Sequence, residues 1–210
     1  MGLPRSTVAR RNPPHSARRE VLSNVDALDW RDMAFAPDTW ETARLVARKA
    51  TRDAAQELFD AYAQDPDVAR YMNWRPHRDV AETVAFLDRC ERVWRDGTAF
   101  PWTLWTKDNG GLAGMIEARH AGTTVDIGYV LRRSLWRRGL MTEAARVVVE
   151  WALSCPDVYR VWATCDVDNV ASARLLEAVG MQREGVLRRW LVHPNVGDAP
   201  RDALCYALVK

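Results

Sequence analysis

Much of what this 210-residue chain could be is excluded by what it lacks. No run approaches the ~18 consecutive apolar residues of a membrane-spanning helix, so no membrane partner is expected. The first 33 residues lack the apolar core of a signal peptide. Neither sign of charge dominates: 30 Lys and Arg against 28 Asp and Glu leave a formal net charge of +2. No global field therefore marks a nucleic-acid binder. The four cysteines, Cys90, Cys155, Cys165 and Cys205, form no C-x-x-C pair and no zinc spacing. They are expected to be reduced, mostly buried thiols of a cytoplasmic protein. A Ser/His/Asp set, a histidine-based metal cluster and a P-loop are all missing, so no metal is expected.

The length fits one domain with a sizeable core. Residues 1–38 read as a flexible basic tail, rich in arginine and proline near its start, with Met33 as an alternative start. A basic arm for RNA or an acidic partner is the other reading of that tail. The domain proper is expected over 39–210. Alternation predicts a first strand at 41–49, and Asp53 is placed to cap a helix over 54–63. A helical stripe covers 79–94. Two β-rich runs, 100–107 and 112–120, flank an Asn109–Gly110 hairpin signal. A strand at 123–131, a helix at 139–153 and a strand at 158–165 then form a parallel βαβ unit. A helix over 170–179 and strands near 182–191 and 203–209 finish the chain. The pattern predicts an α/β fold, a mixed twisted sheet of about seven strands with helices on both faces.

The most informative stretch is Trp136, Arg137, Arg138, Gly139, Leu140, Met141, Thr142, Glu143 and Ala144. It joins the strand ending at Leu131 to a helix. A strand, a short basic loop bent at Gly and a helix start bring free N–H groups and a positive dipole end to one point, which suits a pyrophosphate. About thirty residues on, Asn169, Ala171 and Ser172 open another helix, followed by Glu177, Gly180 and Met181, then Glu184 and Gly185.

Taken in order and at this spacing, the two motifs resemble the GCN5-related N-acetyltransferase (GNAT) superfamily, and within it the Rim-type ribosomal-protein N-acetyltransferase branch. The resemblance runs from about Thr42 to the C-terminus. It implies a single-domain acetyl-CoA-dependent fold and acetyl-CoA as cosubstrate. The cofactor would lie against Tyr129, Val130, Leu131, Trp136, Arg137, Arg138, Gly139, Leu140, Met141 and Thr142, with Asn169 and Ser172 on its pantetheine arm. Trp136 either braces the loop or simply packs. Met141 stands where a small residue is usual, and Asn169 could equally be only a helix cap.

Acyl transfer needs the attacking amine neutral, so a carboxylate near the thioester suits proton removal. Asp126 stands where the Rim-type pattern has Glu, and Glu117 on the neighbouring strand competes with it. The superfamily's frequent tyrosine acid is replaced by Leu176; the resemblance offers Ser172 to protonate the leaving thiolate. The oxyanion would meet a backbone N–H of Tyr129 or Val130 on a bulged strand. The acceptor pocket is expected around 71–77, with Tyr71, Trp74 and Arg75, and with Trp102 and Trp105 lining the same space. His77 is not expected to act as the base, and Cys165 reads as core.

The chain therefore reads as an N-acetyltransferase moving an acetyl group to a primary amine, on a protein N-terminus or a small molecule, by direct attack in a ternary complex. It would work as a monomer or homodimer. Two rivals are a catalytically inactive CoA-binding sensor and a dinucleotide-binding domain. The latter is disfavoured because G-x-G-x-x-G is missing.

Overall fold

The computed structural model describes residues 36–210, and all its strands join one sheet. In spatial order these are Thr39–Glu41 (β1), Leu45–Lys49 (β2), Ala99–Thr106 (β3), Leu112–Ala121 (β4), Thr124–Leu131 (β5), Arg160–Asp166 (β6), Arg201–Val209 (β8) and Gln182–Leu191 (β7). Eight strands replace the expected seven because the run at 41–49 is a hairpin. The Thr42 N–H donates to the Leu45 carbonyl at 2.9 Å, and Thr42 Oγ1 accepts from the Leu45 N–H at 2.9 Å. That turn folds β1 back on β2. The expected tail reaches beyond the described residues, but its last three residues are tied down. Ala36 is buried, the Pro37 carbonyl accepts from Trp102 Nε1 and the Asp38 carbonyl accepts from the Lys49 N–H. Met33 lies outside the described residues.

The helices are Ala55–Leu58 (α1), which runs on into a π-helical turn at Phe59–Ala63, then Pro66–Ala69 (α2), Val80–Arg95 (α3), Leu140–Ser154 (α4) and Val170–Ala178 (α5). Asp79 caps α3 by accepting from the Glu82 N–H, and Asp65 caps α2 with Pro66 at its first position. Asp53 is not a cap. It lies inside a 3₁₀ turn at Arg52–Ala54 that starts at Thr51, and the Arg52 N–H is taken by Glu91 of α3. None of the described helices is long and apolar enough to cross a membrane.

Strand alternation gives the sheet two apolar faces, each covered by helices. On one, Leu45, Phe100, Leu104 and Ile116 pack with Val148, Val149 and Trp151 of α4 and Leu176 of α5. On the other, Leu112 and Met115 meet Leu58 and Tyr62 beside Leu87 and Cys90 of α3. Side chains of this size contribute about 1.5–3 kcal/mol each when fully buried.

Every neighbouring pair is antiparallel except β5 and β6. That parallel pair is joined through α4 and lasts only from Thr124↔Arg160 to Asp126↔Trp162. Beyond Asp126 the two strands part. A cleft opens at their carboxyl ends, where α/β sheets hold ligands.

Candidate active site

The loop from β5 to α4 is built around two left-handed residues. Arg137 has φ 62° and Gly139, the N-cap of α4, has φ 74°. Gly adopts this conformation freely, whereas Arg137 is strained there. No side chain caps α4, so the N–H groups of its first turn remain available at the positive end of a 15-residue helix. Trp136 braces the loop: it is 42% exposed, and its Nε1 donates to the Leu131 carbonyl at 2.7 Å. The Leu140 and Met141 side chains point into the core, so Met141 presents only its backbone to the loop.

Arg44, at the β1–β2 turn, was not singled out in the sequence. Its Nη1 donates to the Arg138 carbonyl at 2.8 Å, and its Nε donates to Glu143 Oε2 at 2.7 Å. Burial pushes the Glu143 carboxyl up, but bonds from Thr42 and from the backbone and guanidinium of Arg44 outweigh it and hold it below its ordinary range. Arg44 thus neutralises the one acidic group in the first turn of α4. Arg137 and Arg138 form no ion pair among the described residues.

Across the cleft, Asn169 caps α5, its Oδ1 accepting from the Ser172 N–H at 3.2 Å. The capping reading of Asn169 therefore holds, and its amide nitrogen makes no hydrogen bond among the described residues. Ser172 Oγ and the Tyr129 hydroxyl are 2.8 Å apart, linking α5 to β5. Burial raises the Tyr129 phenol well above its ordinary value against the opposing Ser172 bond, so it stays protonated. Cys165 is 7% exposed, and burial pushes its thiol up to about 11. A thiol so protonated is a poor nucleophile. The bulge expected on β5 is absent, since β5 pairs with β4 from Gly114↔Leu131 to Ala121↔Thr124 without a register shift. The cleft comes from the parting of β5 and β6 instead.

Asp126 and Glu117 share one face and one partner. Arg119 Nε donates to both Asp126 oxygens at 3.1 and 3.0 Å, Nη2 adds a 2.5 Å bond, and Nη1 reaches Glu117 Oε2 at 2.7 Å. Gly128 makes room for this fork: a Cβ there would lie 2.9 Å from Arg119 Nη1. Asp126 is also the last β5 residue paired with β6, so it stands where the cleft begins.

Of the expected acceptor residues, Trp102 is misassigned. It is 1% exposed, in ring contact with Trp40, Trp94, Phe100 and Trp151, on the face covered by α4. Trp105 lies on the opposite face, its Nε1 donating to Thr103 Oγ1 at 3.0 Å. Strand alternation separates the two, which stand an odd number of residues apart on β3. Tyr71 and Trp74 are half-buried, and Arg75 is exposed beside Asp198. His77 bonds Thr83 through Nδ1 at 2.7 Å, and burial lowers its pKa. The segment is held from the far end of the chain: Asn195 Nδ2 donates to the Ala69 and Trp74 carbonyls at 2.6 and 2.7 Å.

An open mixed sheet, parted at its one parallel pair above an uncapped helix start, defines the class of acetyl-CoA-dependent N-acyltransferases. The acetyltransferase (GNAT) domain family matches residues 44–182, and the chain belongs to it. It is 29% identical over 173 residues to the N-acetyltransferase YoaA of Bacillus subtilis, covering 81% of this chain and 96% of that one. It is 25% identical over 160 residues to the ribosomal protein uS5-alanine N-acetyltransferase of Escherichia coli, covering 72% and 81%. That relative agrees with the Rim-type resemblance. The crystal structure of the microcin C7 self-immunity acetyltransferase MccE with acetyl-CoA and AMP shares the fold, with TM-score 0.75 and 20% identity over 85% of this chain and all of that one.

Proposed function

We propose that the protein transfers the acetyl group of acetyl-CoA to a primary amine, a protein N-terminal α-amine or a small-molecule amine, by direct attack in a ternary complex. The observation that carries this reading is the parting of β5 from β6 beyond Asp126, with the uncapped N-terminus of α4 beside it. In this reading the pyrophosphate lies on the N–H groups of Leu140, Met141 and Thr142 at the Gly139 bend, with Arg137 and Arg138 adding charge. The pantetheine arm runs between Tyr129, Val130 and Leu131 and the amide donors of Asn169. A backbone N–H of Tyr129 or Val130 meets the oxyanion.

The proton balance follows from the groups at hand. The amine loses one proton to Asp126, directly or through a water, while Arg119 keeps the carboxylate in place. The departing thiolate gains one from Ser172, whose Oγ lies 2.8 Å from the Tyr129 hydroxyl; Asp126 then releases its proton to solvent and Ser172 regains one from solvent, so the protons balance. Tyr71, Trp74 and Arg75 line the acceptor side.

A melting series with acetyl-CoA, CoA and NAD tests the cofactor, since a ligand at 100 times its Kd stabilises by about 2.7 kcal/mol. Thiol release with a panel of peptides and small amines tests the reaction. No stabilisation by CoA would overturn the reading. Stabilisation without turnover of any amine would favour a CoA-binding sensor.

A further inference from the structure

Beyond the cleft lies a buried polar cluster that the reaction above does not use. Asp166, at the end of β6, has a fully buried side chain. It accepts from Arg201 Nε at 2.6 Å, from Arg201 Nη2 at 3.0 Å and from the Asp168 N–H at 2.9 Å. Burial pushes its carboxyl up, but Arg201 and the Asp168 N–H outweigh that and hold it below its ordinary value, so it is anionic. Facing it at 3.6 Å is His193 Nε2, on the loop between β7 and β8. The His193 side chain is 5% exposed, and its Nδ1 is shut off from solvent without a hydrogen-bond partner among the described residues.

Buried polar atoms are nearly always paired, so an orphan needs an explanation. A carboxylate near Nε2 favours an N–H there, and in a neutral imidazole the other nitrogen, Nδ1, is then a lone-pair acceptor. The ring stands at a junction. Tyr71 of the acceptor segment lies edge-on to it at 6.2 Å, and the Tyr71 hydroxyl reaches the Asp168 carbonyl, beside Asn169, over a long 3.5 Å bond. Two residues on, Asn195 clamps the same loop to Ala69 and Trp74. His193 therefore joins the acceptor segment to the end of β6.

We propose that His193 is an acceptor-binding residue: Asp166 orients its ring through Nε2, and Nδ1 accepts a hydrogen bond from an N–H of the amine substrate. The Tyr71 ring, held at its hydroxyl only by that long bond, swings aside to admit it. The ligand class is an amine or amide N–H donor. This inference rests on the acetyl-transfer reading above.

The test uses the full chain and two conservative variants. Glutamine at 193 reproduces the Nε2 donor toward Asp166 and lacks the Nδ1 acceptor. Asparagine puts a polar atom near Nδ1 and loses the Asp166 contact. With an amine that the parent acetylates, His193→Gln should raise KM for that amine at least tenfold, with acetyl-CoA Kd within twofold and a melting temperature near the parent's. His193→Asn should recover part of the loss. Parent-like amine KM in a folded His193→Gln protein would overturn the proposal, as would loss of acetyl-CoA affinity in step with amine affinity. If Gln fails to fold, His193→Leu, which has no acceptor at either ring position, carries the test, and an unchanged amine KM in the folded Leu protein overturns the proposal. Failure of the parent to acetylate any amine would instead sink the acetyl-transfer reading.

Discussion

Replacing Gly139 by alanine isolates the contribution of the bend. Gly139 sits at φ 74°, and a Cβ built there meets only Arg44 Nη2, at 3.6 Å, an ordinary contact. The cost is therefore backbone strain rather than a clash, about 1–2 kcal/mol for an L-residue held left-handed. For a domain of this size, each kcal/mol lowers Tm by about 2–4 °C, so the ligand-free protein should melt about 2–8 °C lower. Relaxing the strain turns the first N–H groups of α4 away from their common point. Titration calorimetry should then show acetyl-CoA bound at least about tenfold more weakly, a difference of roughly 1.4 kcal/mol. Valine at the same place should do worse, because a β-branched chain is stiffer in this region. A variant that melts lower yet binds acetyl-CoA with parental affinity would refute the argument, since strain would then be present without loss of the cradle.

The other expectations concern single groups on either side of the cleft. Asn169→Ala removes both the cap and the amide donors, so ligand-free stability should fall by about 1 kcal/mol and CoA affinity should drop as well; unchanged CoA affinity would leave only the cap. Asp126→Asn should keep acetyl-CoA affinity but lower turnover about 10²–10⁴-fold, a deficit that shrinks as pH approaches the amine's own pKa; turnover within about threefold of the parent near neutral pH would move the base to Glu117 or to simple positioning of a neutral amine. Because the folded Glu143 carboxyl is held below its ordinary value of 4.5, its stabilising contribution is complete above that pH and is lost as pH falls through the lowered folded value. Glu143→Gln should therefore flatten the acid limb of a Tm-against-pH curve, and an identical limb would show that Arg44 does not hold this carboxylate.

What the sequence determined by itself is local. The bend at Gly139, the helical stripe over 79–94, the hairpin at Asn109–Gly110 and the helix start at Asn169 are each set by a few nearby residues. These were enough to expect the strand–loop–helix cradle and the order of elements around it. Tertiary structure decided everything that joins distant parts of the chain. Arg44 meets Glu143 across 99 positions, and Asn195 reaches Ala69 across 126. No local pattern encodes such pairings, because they depend on strand order and register. Trp102 and Trp105, three residues apart and read as one pocket, lie on opposite faces of the sheet, because successive side chains of a strand alternate and positions an odd number apart never share a face. Asp126 could be named as a candidate base from its strand, but its capture with Glu117 by Arg119 exists only because β4 lies antiparallel beside β5, with Arg119 opposite Asp126. A sequence lists its charges; the sheet decides which of them face one another.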